Sequence, residues 1–265
     1  MFKFFKLLIV LILISHLSFA QDLVKQNKNF HLYILIGQSN MAGRGPLTDS
    51  FAAIQHPRVE MFTKSLEWKT AKHPLHFDKP IVAAVGPGLS FGIEMAKAKR
   101  KIKIGLVPCA VGGTSIAKWQ QGAYDDATNT HPYDDAEIRI KEAMKYGVIK
   151  GIIWHQGESN SSASGIENYP KQLQELIARV RDLIDNQKTP LVIGELGQYK
   201  ENYRNFNVML AEIPKLIPYS VIAGSFELID KGDGTHFDSA SANEFGKRYA
   251  SKMLEMQSKM NHSNK

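Results

Sequence analysis

Two short polar clusters, nearly two hundred residues apart, hold the side chains of a nucleophilic catalyst. Gly37-Gln38-Ser39-Asn40 follows the apolar run His31–Ile36. It sets a hydroxyl at the end of a predicted strand, where a helix opens. Backbone amides at such a helix start stabilise a developing oxyanion. Taken alone, Ser39 reads more readily as an N-cap serine. The second cluster, Asp233-Gly234-Thr235-His236, supplies the partner a serine needs. Imidazole accepts a proton near neutral pH. An aspartate three residues earlier, across a glycine-containing turn, reaches Nδ1, fixes the tautomer and stabilises the imidazolium. The plainer reading of the same residues is an Asp-Gly turn beside a surface histidine.

A rival nucleophile stands at Ser90. Gly88-Leu89-Ser90-Phe91-Gly92 fits the G-x-S-x-G elbow, with the apolar run Ile81–Val85 before it and a helical pattern after. Gly86-Pro87 separates that run from the serine, so the sharp strand-to-helix turn is missing, and Ser90 reads as a helix-start or packing residue. His73-x-x-His76 lacks a third nearby ligand of the right type, so no metal site is expected there. Cys109, the one cysteine, lies in the apolar stretch Leu106–Val111 and reads as a packed, inert thiol.

Positioning these residues falls to alternating elements. Five apolar runs, His31–Ile36, Ile102–Val107, Gly151–His155, Leu191–Leu196 and Tyr219–Ala223, have the two-sided hydrophobicity of buried parallel strands. Helical spacing is clearest over Glu167–Asn186, where Tyr169, Leu173, Leu176, Ile177, Val180, Leu183 and Ile184 form one face. Leu89–Arg100, Asp134–Tyr146 and Ser239–Ser258 are further helices. Thr48–Pro80, with weak periodicity, reads as a long surface excursion. This rhythm predicts one α/β domain with a five-stranded, mostly parallel, doubly wound sheet. In such sheets ligands sit outside the C-terminal strand ends, where Ser39, Gly112-Gly113 and Gln156-Gly157-Glu158 all fall.

Composition narrows the function classes. The chain has 265 residues, 43% hydrophobic and 22% charged, which are globular proportions. A net charge of +7 is mild for this length and does not mark a nucleic-acid binder. No Walker pattern is present and no G-x-G-x-x-G follows the first strand, so no phosphate cofactor is expected. Residues 1–20 carry Lys3 and Lys6, eight aliphatics over Leu7–Ile14, and Ser18-Phe19-Ala20. These are the three parts of a signal peptide, the alternative being an uncleaved anchor. The expected mature domain spans residues 21–265, secreted or periplasmic and without stable membrane association after cleavage.

Five ordered blocks resemble those of SGNH-type hydrolases, and more narrowly the carbohydrate esterase family 6 and sialate O-acetylesterase-like branch. They are Ile36–Gly45, Val85–Gly88, Val107–Thr114, Trp154–Ser159 and Asp233–His236. The resemblance runs from about residue 30 to 250. It implies a three-layer αβα fold and metal-free, cofactor-free removal of O-acetyl groups from carbohydrates such as acetylxylan or O-acetylated sialic acid. Carried over, it makes Ser39 the nucleophile and its amide one oxyanion donor. It makes Gly113, rather than Gly112, the second donor and the Gln156 side-chain amide the third. His236 becomes the base, with Asp233 its acid. Glu158 is an alternative acid, or else an organiser of the Ser39 loop or of the Arg44 guanidinium. Trp68, Trp119 and Tyr124 read as either sugar-stacking or packing residues. A non-catalytic carbohydrate-binding protein on the same fold is the competing class, disfavoured because Ser39, Gln156, Asp233 and His236 occur together.

Overall fold

The computed structural model describes residues 26–263, so the signal-peptide reading of residues 1–20 lies outside the described residues. Seven strands form one sheet: β1 (Asn27–Gly37), β2 (Val59–Phe62), β3 (Trp68–Thr70), β4 (Lys103–Pro108), β5 (Gly147–His155), β6 (Leu191–Gly194) and β7 (Ser220–Ala223). Their order is β3-β2-β4-β1-β5-β6-β7. Every pairing is parallel except the β2–β3 hairpin. The helices are α1 (Ser39–Ala42), α2 (Asp49–Ala52), α3 (Gly88–Ala98), α4 (Pro132–Met144), α5 (Ala163–Glu167), α6 (Tyr169–Ile184), α7 (Glu201–Leu210), α8 (Ile213–Leu216) and α9 (Ser239–Ser263).

Strand periodicity divides the core in two. Along β1, Leu32, Ile34 and Ile36 face a layer built on α4, α6 and α7, together with Trp154 and Trp119. The intervening Tyr33 and Leu35 face α3 and α9, against Phe91, Phe245 and Tyr249. Successive side chains leave a strand on opposite faces, so a strand apolar at every position needs a helical layer on each side. The fold is therefore a three-layer α/β/α sandwich with a doubly wound sheet.

All five expected strands are present. The sheet has seven because β2 and β3 lie within Thr48–Pro80, the stretch read as a surface excursion. They are four and three residues long at the sheet edge, too short to show a period. Tertiary packing holds them: the Trp68 ring meets Phe30 edge-on at 4.7 Å and Phe62 at 4.8 Å. Helix α7 was likewise not anticipated. Its Tyr203, Phe206 and Leu210 are buried, and its Asn207 side chain bonds both the N–H and the C=O of Leu196.

The order in which the chain adds strands reverses about β1, which has β4 on one side and β5 on the other. Gly37 makes the junction possible. Its φ is +132°, and a Cβ at this position would lie 2.0 Å from the carbonyl oxygen of His155. Without a side chain, β1 stays close enough for the Gln38 N–H to bond that carbonyl at 2.9 Å.

Candidate active site

Ser39 begins α1, a single turn whose Met41 and Ala42 amides close onto the Gln38 carbonyl at 3.0 and 2.9 Å. Its Oγ lies 3.0 Å from His236 Nε2, joining residues 197 apart in sequence. His236 stands on a turn that organises itself. Asp230 accepts the amides of Gly232 and Gly234. Asp233 Oδ1 accepts those of Thr235 and His236 at 2.9 and 2.8 Å. Its Oδ2 lies 2.7 Å from His236 Nδ1. A carboxylate at that distance holds the proton on Nδ1 and leaves Nε2 to accept from the serine hydroxyl. Partial desolvation pushes the Asp233 carboxyl up. The amide and ring N–H of His236, the Thr235 amide and the imidazole charge outweigh it and hold the acid well below the usual carboxylate range. Lys231 Nζ is also 3.6 Å from Asp233.

Glu158 does not reach His236 by any hydrogen bond. Its Oε1 accepts from Asn40 Nδ2 at 2.5 Å and lies 3.4 Å from His155 Nε2. His155 in turn shares a 2.7 Å hydrogen bond between Nδ1 and the Tyr249 hydroxyl. Desolvation pushes the Glu158 carboxyl up, but the His155 ring and the Asn40 amide outweigh it and keep the acid below its ordinary value. Glu158 thus meets the Ser39 loop at Asn40, and the Arg44 guanidinium pairs elsewhere, with Asp78 at 2.7 Å. Asp78 also accepts the Gly112 amide at 2.8 Å, which ties the loop after β4 in place.

Gly113 has φ +88° and is exposed. Among the described residues neither its amide nor that of Ser39 has a hydrogen-bond acceptor, so both are available to a bound oxyanion. Gln156 differs from expectation. The side chain is fully buried, and its Nε2 meets the Gln38 and Asn160 side-chain oxygens at 3.1 and 2.7 Å and the Thr114 carbonyl at 3.2 Å. These bonds tie together the loops after β1, β4 and β5. Asn160 and Gln38, the acceptors in this brace, were not singled out by sequence, nor were Asn40 and Asp78. The Q-S-N and Q-G-E-S-N contexts are visible in the sequence, but which amide meets which loop is a tertiary fact.

The remaining candidates take structural places. Ser90 is buried in α3, and its hydroxyl hydrogen-bonds to the Asn243 carbonyl of α9 at 2.7 Å and to the Pro87 carbonyl at 3.2 Å. Trp119 is buried, bonds Thr114 through Nε1 and packs edge-on against Trp154. Trp68 belongs to the edge-strand cluster, while Tyr124 is exposed and bonds Asn129. Burial pushes the Cys109 thiol up to about 12, so the reactive thiolate is suppressed. His73 and His76 are both buried. Among the described residues no group of three or more His, Cys, Asp or Glu side chains is placed to hold a metal ion.

Residues 29–255 match the family described as carbohydrate esterase, sialic acid-specific acetylesterase. A probable carbohydrate esterase of Arabidopsis thaliana is 31% identical over 195 residues, spanning 65% of this chain and 72% of that protein. The X-ray structure of the Arabidopsis protein superposes with a TM-score of 0.76 at 26% identity, covering 86% of this chain and 99% of that one. The crystal structure of NanS gives a TM-score of 0.69 at 17% identity, covering 88% and 99%. A carbohydrate acetylesterase from Xanthomonas citri gives 0.64 at 20%, covering 83% and 55%. At those identities the last two establish the shared fold.

Proposed function

The chain belongs to the carbohydrate esterase, sialic acid-specific acetylesterase family, and on that footing we propose that it is a serine esterase that removes O-acetyl groups from carbohydrates. The observation that carries this reading is the line Asp233–His236–Ser39, with its 2.7 and 3.0 Å contacts beside two amides that lack acceptors. Ser39 Oγ attacks the acetyl carbonyl as its proton passes to His236 Nε2. The Ser39 and Gly113 amides take the negative charge of the tetrahedral oxygen, and Gln156 keeps their two loops in register. Collapse expels the sugar oxygen, which takes the proton from His236 and leaves acetyl-Ser39. Water, deprotonated by His236, then releases acetate and restores the serine.

We propose that the enzyme is an SGNH-type hydrolase of the carbohydrate esterase 6-like branch. Acetylxylan or a related polysaccharide is the first substrate class proposed; O-acetylated sialic acid is the second, favoured by the family's description. We further propose that residues 1–20 are a cleaved signal peptide and that the enzyme acts outside the cytoplasm. N-terminal sequencing of exported protein is expected to begin at Gln21.

Acetate release from a small acetyl ester, acetylated xylan and O-acetyl sialic acid tests the reading, with Ser39→Ala and Ser90→Ala run alongside. Activity lost with Ser39→Ala and kept with Ser90→Ala is expected. Loss with Ser90→Ala alone would overturn the assignment of the nucleophile. A folded wild type that neither releases acetate nor reacts with a serine-directed phosphonate is a binding protein, not an esterase.

A further inference from the structure

Asn40 follows the proposed nucleophile, and all of its amide's hydrogen-bonding groups are engaged. Its Oδ1 accepts the Phe237 amide at 3.1 Å, and its Nδ2 donates to the Thr235 carbonyl at 3.0 Å and to Glu158 Oε1 at 2.5 Å. Thr235 and Phe237 flank His236. One side chain therefore fastens the backbone on both sides of the base to the turn that carries the serine. The Asp233 contacts cannot do this, because they lie within the same short turn as His236 and set the ring only relative to that turn. Besides the His236 Nε2–Ser39 Oγ contact itself, the Asn40 pair relates the two loops across the cleft.

An asparagine amide fits such a site in two orientations that differ by a flip of oxygen and nitrogen. A carboxylate accepts and cannot donate. With Glu158 ionised beside it, Asn40 must turn Nδ2 toward the acid. The flipped form would aim Oδ1 at two acceptors, the Glu158 carboxylate and the Thr235 carbonyl. It would also face its NH2 against the Phe237 N–H. Glu158 is in turn set by His155, which is tied to Tyr249 in α9. We propose that Asn40 is a positioning residue that buckles the His236 loop onto the Ser39 turn, and that Glu158 selects the amide orientation that closes the buckle. This rests on the esterase reading for its catalytic consequence, and on geometry alone for the buckle itself.

A displacement of about 1 Å between reacting groups costs about 10²-fold in rate. Asn40→Ala and the near-isosteric Asn40→Asp are therefore expected to lower kcat on a small acetyl ester by roughly 10- to 100-fold, with KM held within about 2-fold. Unfolded enzyme would also lower apparent kcat at unchanged KM, so kcat is expressed per folded enzyme, counted from the unfolding transition of each variant. Glu158→Gln keeps an acceptor for Nδ2 and is expected to recover most of what Glu158→Ala loses. A second readout is independent of turnover. Amide hydrogen exchange at Phe237 should accelerate in Asn40→Ala and Asn40→Asp, while the amides bonded within strands β1 and β5 keep their protection. Unchanged exchange at Phe237, or wild-type kcat in both Asn40 variants, overturns the buckle. An inactive wild type refutes the esterase reading, and the exchange measurement then decides the buckle by itself.

Discussion

Two histidine–carboxylate pairs meet around the candidate site, each with its partners three residues apart in sequence. Asp233–His236 lies at the surface, with side chains 39% and 23% exposed. Glu158–His155 is interior, at 4% and 1%. Both carboxyls titrate below their ordinary values, so neither charge state nor spacing tells them apart. Their neighbours do. Asp233 is oriented by the amides of its own turn, and the far nitrogen of its histidine looks across the cleft at a hydroxyl. Glu158 is held by groups from β5 and from the Ser39 turn, and the far nitrogen of its histidine is spent on Tyr249. A carboxylate–imidazole pair moves protons only where the second ring nitrogen has a reacting partner; where that nitrogen is already engaged, the pair is a strut.

The sharpest way to break this comparison is to neutralise each acid without changing its shape. Asp233→Asn removes the acceptor that fixes the His236 tautomer and is expected to lower kcat on the order of 10⁴-fold. Glu158→Gln keeps an acceptor toward Asn40 and should cost less than about 10-fold, since the charge it loses is not applied to the base. Initial-rate kinetics on one small acetyl ester compares the two directly. Equal losses would mean that Glu158 acts on His236 after all.

Gly113 tests the opposite side of the cleft with a smaller effect. Its φ of +88° suits glycine, and the nearest atom to an added Cβ is Lys79 Nζ at 3.5 Å, an ordinary contact. Gly113→Ala is thus opposed by backbone strain, about 1–2 kcal/mol, and not by a clash. Relaxing that strain rotates the amide away from the oxyanion. Complete loss of such a donor costs about 10²–10³ in rate, so a partial rotation is expected to cost roughly 10-fold in kcat. An unchanged kcat would remove Gly113 from the oxyanion hole.

Much of this is legible in the sequence. The strands carrying the site announced themselves because each is buried on both faces, and a continuous aliphatic run needs little context to interpret. Ser39, Asp233 and His236 could be named because their chemistry is local: a strand end, a glycine, and a turn whose carboxylate folds back on its own histidine. The short edge strands are not legible, since Val59–Phe62 and Trp68–Thr70 are held by the Trp68 ring packing on Phe30 of β1 and on Phe62, and carry no period of their own. The same reason hid Asn40 and the brace at Gln156. Their partners come from loops up to 197 residues distant, and an amide in sequence shows neither which way it faces nor what it meets.

The pairs also differ in what they contribute to stability as pH changes. A carboxyl depressed in the folded state binds its proton more tightly when unfolded. Its contribution is therefore complete above the unfolded value, about 4 for either acid, and is lost as pH falls through the folded value. The denaturant midpoint is expected to be level from neutral pH to about 5 and to decline below it. Glu158→Gln should flatten that decline more than Asp233→Asn, because water screens the exposed pair and not the interior one. A greater flattening by Asp233→Asn would place the stabilising charge on the surface turn.

The smallest effect belongs to the serine that the elbow-like motif offers as a rival. Ser90 Oγ donates to the Asn243 carbonyl, and its neighbour across the helix pair is Gly246, where a Cβ would lie 1.9 Å from that oxygen. The hydroxyl is therefore part of a close α3–α9 crossing, and Gly88 and Gly92 of this motif let α3 approach Leu35, Val59 and Leu106 of the sheet. Ser90→Ala removes one buried donor of a typical net worth of about 1 kcal/mol. In a domain of this size that corresponds to a Tm lower by about 2–4 °C. Acetate release per folded enzyme should match wild type. A Tm drop with retained kcat locates Ser90 in the helix interface; loss of kcat at unchanged Tm would return it to the chemistry and dissolve the division between catalytic and structural serines.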